Sequence, residues 1–183
     1  MTLTKIRTAA ASTLAAAGLL FTLAACSAPA TQPSASAPAS TAAASASADA
    51  GPCAGVKVIV DSGALKQAAA DKSVCVPLDS PMAASAVLEE AGVKTEGSTQ
   101  YPDAVCRVNG VPAADFDITH KGGTYREECK DMSAAFAYWS LWVKPASGEW
   151  AYAQEGVATL KVNPGESLEL LYTVDGEPAA PAA

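Results

Sequence analysis

Ala137-Tyr138-Trp139-Ser140-Leu141-Trp142-Val143 is the stretch on which the fold turns, and Trp150-Ala151-Tyr152 answers it. All three tryptophans and two of the five tyrosines fall within these sixteen positions. Alternating aromatic and small side chains predict a strand, because successive side chains point to opposite faces. Tyr138, Ser140 and Trp142 then share one face; Trp139, Leu141 and Val143 share the other. Neither face is polar, so each needs cover, from the core or from a ligand.

Downstream, Val157 to Val162 reads as a short strand and Asn163-Pro164-Gly165-Glu166 as a turn. Ser167 to Thr173 reads as the last strand, with Leu168, Leu170 and Tyr172 inward. Upstream, Val56 to Asp61 is rich in β-branched residues and reads as the first strand. Asp61-Ser62-Gly63 breaks it, and Lys72 to Pro77 returns. Ser80 as N-cap and Pro81 at the first helical position predict a helix that Gly92 stops. Ala84, Leu88 and Ala91 fall on its inner face with Val87, while Glu89 and Glu90 face water. Ala104 to Val108 is a further strand, ended by the turn dipeptide Asn109-Gly110. Val111 to Met132 is long, charged and poorly periodic, and reads as a loop. The order β-β-α-β and then more strands predicts an α+β domain, one helix packed on a mixed or antiparallel sheet.

Setting Cys26 aside, four cysteines remain: Cys53, Cys75, Cys106 and Cys129. An even number in an exported domain reads as two disulfides. Of the three possible pairings, Cys53–Cys75 and Cys106–Cys129 are favoured because each closes a local loop. Each stabilises by about 3 kcal/mol on the chain-entropy model.

The segments Val108-Asn109-Gly110, Tyr138-Trp139-Ser140-Leu141-Trp142, Gly156 with Thr159-Leu160-Lys161-Val162, and Pro164 to Tyr172 carry a resemblance. Together they resemble the carboxy-terminal domain of the transcobalamin and intrinsic-factor proteins and its secreted bacterial relatives. The order Cys-Arg-Val-Asn-Gly, Cys, Tyr-Trp-Ser-x-Trp, Trp-x-Tyr also resembles a group of actinobacterial secreted proteins. The resemblance implies a β-grasp-like sheet with one helix and, in the cobalamin carriers, one wall of a corrinoid site. This chain departs from the pattern at Lys144-Pro145, where Asn-Gly is frequent, and at Leu170, where an aromatic is common. The large α-domain that completes the carriers' site has no counterpart here.

The amino terminus sets the location. Lys5 and Arg7 precede an apolar run from Ala9 to Ala25, too short for a membrane span and suited to a secretory signal. Leu23-Ala24-Ala25-Cys26 resembles a bacterial lipobox. That resemblance implies cleavage before Cys26 and lipidation of its thiol, with residues 1–25 as the signal peptide. Residues 26–51 are the lipidated cysteine and an Ala/Ser/Pro/Thr tether, too poor in apolar surface to fold. As a flexible coil the tether reaches about 25–30 Å. Residues 52–175 form the single domain, and 176–183 are expected as a loose, disordered tail. The expected site of action is the extracytoplasmic face of the cell membrane, reached through the lipid anchor.

Composition narrows the partners. Loss of the two cations Lys5 and Arg7 with the signal takes the net charge from −7 to −9. An acidic chain without a basic patch argues against nucleic acid and against attraction to anionic lipids. Chemistry is hard to place: His120 is the single histidine, and no G-x-S-x-G elbow is present. No C-x-x-C metal pair or phosphate-cradling loop is present either. Asp115-Phe116-Asp117 lacks calcium-loop spacing. The reading is a non-catalytic binding protein with no resident cofactor or metal. It holds a small molecule, corrinoid-like for instance, or an uptake partner. The candidate ligand residues are Tyr138, Trp139, Trp142, Trp150 and Tyr152. The alternative is a protein-interaction module that binds an envelope or transport protein, or resembles a small protease inhibitor.

Overall fold

The computed structural model describes residues 53–182. Residues 1–52, which hold the signal-like segment, Cys26 and the tether of residues 26–51, lie outside the described residues, as does Ala183. Eleven strands and one α-helix follow in order. They are β1 (Gly55–Asp61), β2 (Lys72–Pro77), β3 (Met82–Ala83), α1 (Ala84–Glu90), β4 (Thr95–Gly97), β5 (Val105–Val108), β6 (Ile118–His120), β7 (Gly123–Tyr125), β8 (Ala137–Lys144), β9 (Ala151–Tyr152), β10 (Lys161–Val162) and β11 (Ser167–Val174). Five of them make one sheet in the order β2-β1-β11-β8-β9, with β1 and β11 parallel and the other neighbours antiparallel. The expected α+β architecture and both expected disulfides, Cys53–Cys75 and Cys106–Cys129, are present.

Register sorts the side chains. Val58 lies beside Leu168, Val60 beside Leu170, Leu170 beside Leu141 and Tyr172 beside Trp139. These residues join Val87 and Leu88 of α1 in one buried cluster. The expected alternation of β8 therefore holds, with Trp139 and Leu141 on the helix side. The indole of Trp139 meets the Tyr172 ring edge-on at 5.2 Å and donates to the Val111 carbonyl at 3.1 Å.

The opposite face corrects one expectation. Glu169, Leu171 and Thr173 are as buried as Leu168, Leu170 and Tyr172, so β11 is covered on both sides. The tail is part of the cover. Asp175 and Gly176 take positive φ angles, Val174 and Glu177 pair in a bridge, and the chain turns back. A methyl group placed on Gly63 would come within 3.2 Å of both Leu171 and Pro178, and Trp150 donates its indole N–H to the Ala182 carbonyl. Most of residues 176–182, expected as a loose tail, are exposed, with Pro178 and the Ala182 carbonyl making these contacts.

Three local expectations also shift. The helix starts at Ala84, not at Pro81, because Met82–Ala83 pairs with Lys161–Val162. Its first amides are satisfied by distant carbonyls, Ala84 N–H by Leu160 and Ser85 N–H by Val157, so no side-chain cap is needed. The end is as expected. Gly92 takes φ +65°, its N–H reaches the Glu89 carbonyl and that of Val93 reaches Leu88. The strand expected over Val157–Val162 is confined to Lys161–Val162, its first half being a turn. The segment Val111 to Met132 is not all loop: Ile118–His120 and Gly123–Tyr125 form a hairpin.

Candidate functional site

A cleft of about 510 Å³ opens where β9 leaves β8. Tyr138, Trp139, Leu141 and Leu170 line it from the sheet. Asp103, Ala104 and Val105 at the start of β5 line it from one side, and Met132 to Ala135 line it from another. Tyr152 to Val157 complete it. The room comes from small side chains: Ala104, Ser133, Ala134, Ala135, Ala153 and Gly156 all border the space. Asp103 and Glu155 sit exposed at its border, and no Lys, Arg or His lines it.

Local chemistry holds these walls. Gly97 lets the 98–104 loop close: a methyl group there would sit 1.8 Å from the Pro102 carbonyl oxygen. Ser98 N–H donates to the Ala104 carbonyl and Thr99 N–H to that of Cys129. The Cys106–Cys129 bridge thus fixes the wall strand to the segment leading into Met132. Arg107 ties the same region together. It donates from Nε to the Pro112 carbonyl at 2.8 Å, from Nη2 to the Glu127 carbonyl at 2.7 Å and from Nη1 to Glu96 at 2.9 Å. Buried Glu127 accepts from the Cys129 amide and from the Tyr125 hydroxyl. That hydroxyl is pushed up to about 12, first by burial and then by the neighbouring carboxylate.

The five expected ligand residues divide. Tyr138, Trp139 and Tyr152 border the cleft. Trp139 is almost wholly buried, whereas Tyr152 is 48 % exposed. Tyr152 titrates above its ordinary range, through partial burial and then through the adjacent Tyr138. Trp142 does not line the cleft; it meets the Tyr152 ring edge-on at 5.3 Å and donates to Ser140 Oγ at 2.9 Å. Trp150 lies apart, under Lys144 and against Ala182. His120 stacks on Phe136 at 4.0 Å and accepts from Gly122 N–H. Asp115 and Asp117 are exposed, and Asp117 is paired with Arg126, which holds its carboxyl below the usual range.

Sequence reading missed the walls. Asp103–Val105, Met132–Ala135 and Ala153–Val157 carry no motif, and only the run Ser133-Ala134-Ala135 hints at space. Against known protein-family models, curated proteins and solved structures, the chain finds no match.

Proposed function

We propose that this chain is a lipid-anchored extracytoplasmic protein that holds a small molecule in the β8–β9 cleft and performs no chemistry on it. The observation that carries the reading is the meeting of Tyr138, Trp139 and Tyr152 around a space of about 510 Å³. That volume is in the range of small-molecule sites, and aromatic walls suit flat or apolar ligands. Acids at the border without a balancing cation favour a neutral or cationic ligand over an anion. The fold belongs to the same proposal. Counting only the main sheet, the strands run in the order second, first, last, third, fourth, with first and last parallel and the helix following the second. This order supports a β-grasp-like domain of the transcobalamin carboxy-terminal kind.

The test is titration of the protein with a corrinoid and with haem, read by tryptophan fluorescence. Saturable quenching is expected for at least one of them. Tyr152→Ala, at a half-exposed position, should weaken it by more than about 1 kcal/mol with the fold intact. Quenching unaffected by this change overturns the assignment of the cleft, and silence of both probes removes corrinoid-like and haem-like molecules as its ligand.

A further inference from the structure

The cleft has a feature that aromatic walls do not explain: it runs along an open strand edge. Strand β9 covers only two residues of β8, pairing Tyr152 with Trp142 and Ala151 with Val143. Beyond them a single bond remains, from Ala153 N–H to the Leu141 carbonyl. Backbone direction alternates along a strand, so the N–H and C=O of Trp139 point to the same edge as those of Leu141. Phe136 confirms the phase, since its carbonyl accepts from Asp175 on the β11 side. Among the described residues, no group pairs with the Trp139 N–H, the Trp139 carbonyl or the Leu141 N–H. Trp139 is only 6 % exposed, and backbone groups of a buried residue demand partners. Trp139 and Leu141 both line the cleft.

We infer that the ligand of this cleft is an extended, peptide-like chain carrying a positive charge, which adds a short strand to the free edge of β8. The inference rests on the cleft being a binding site and names its ligand class. An extended amide backbone offers the alternating N–H and C=O that Trp139 and Leu141 require, as in other strand additions to a sheet edge. Small side chains at Ala134, Ala135 and Ala153 leave room for a main chain to approach. The ligand's own side chains then alternate, one towards the Trp139–Leu170 floor and the next outward. Exposed Asp103 and Glu155 select a cation at the border. A negatively charged chain meets two like charges and no compensating base.

The experiment uses the full chain and a blocked alanine-valine-lysine-valine-alanine pentapeptide, read by calorimetry and by amide hydrogen exchange. Saturable binding is expected, with slowed exchange at the Trp139 and Leu141 amides. N-methylation of the three central peptide nitrogens should weaken binding about tenfold or more, by removing the hydrogen bonds. Glutamate in place of the lysine should weaken it roughly threefold or more, and the pair Asp103→Asn and Glu155→Gln should erase that preference. Both substituted positions are exposed, so the fold is expected to survive. Equal affinity for the methylated peptide, or binding that leaves those two amides unprotected, overturns the strand-edge inference and leaves the cleft as a site of another kind. So does absence of peptide binding while a corrinoid or haem still quenches. Silence of every probe overturns the cleft itself.

Discussion

Glu169 shows at the scale of one residue how this sheet departs from simple alternation. It sits on β11 between Ile59 of β1 and Trp142 of β8, 4 % exposed, in a row that ordinarily faces water. Burial, with Asp61 adding to it and Lys57 opposing, pushes its carboxyl up to about 7. An acid whose pKa is raised on folding binds its proton more tightly in the native state. Stability therefore falls as pH rises from the ordinary carboxylate range through about 7. Glu169→Gln removes that dependence. Urea unfolding should show the variant gaining on the parent by about 2–3 kcal/mol more at pH 8 than at pH 5. The same gain at both pH values would mean that Glu169 is not held neutral by its surroundings. A single sequence gives no sign of this, because a charged residue between leucines reads as the outward half of an alternating strand.

At the scale of the element, what was legible and what was not have separate physical causes. Strands β1, β2, β8 and β11 announce themselves through β-branched and aromatic runs, and the Asn109-Gly110 turn through its dipeptide, whose two residues take positive φ angles. These signals are local. The helix start is not, because Ser80-Pro81 is overruled by the pairing of Met82–Ala83 with Lys161–Val162 from the far end of the chain. The β6–β7 hairpin escapes for a similar reason: three-residue strands hold too few side chains to show a period. Arg107, which the sequence places only within the Ala104–Val108 strand, joins β4, the turn at Pro112 and the segment at Glu127. The cysteine arithmetic did reach this region, and it yields an element-scale prediction. Cys106→Ala with Cys129→Ala should cost about 2–5 kcal/mol and loosen the cleft wall at Asp103–Val105. Ligand affinity should fall with it, whereas loss of the Cys53–Cys75 bridge at the β1–β2 end should lower stability with little effect on binding. Chemical denaturation and titration of both double variants check this. Equal losses of affinity from the two would detach the wall from the bridge.

At the scale of the whole molecule, the proposed anchoring turns on Cys26, which lies outside the described residues. No helix among the described residues is long and apolar enough to cross a membrane. In the proposed function, Cys26 supplies the membrane contact. The acidic balance of the chain gives no electrostatic attraction to anionic lipid, so surface charge offers no substitute. One acyl chain anchors marginally, whereas the diacylglycerol expected on Cys26 holds firmly. Cys26→Ala should therefore move the protein from the membrane fraction to the soluble exported fraction, or stall it unprocessed. The released domain should bind its ligand with unchanged affinity, because the cleft lies wholly between Asp103 and Leu170. Fractionation of expressing cells, with mass measurement of the mature amino terminus, decides it. A variant that stays in the membrane fraction with normal processing would place the anchor somewhere other than Cys26.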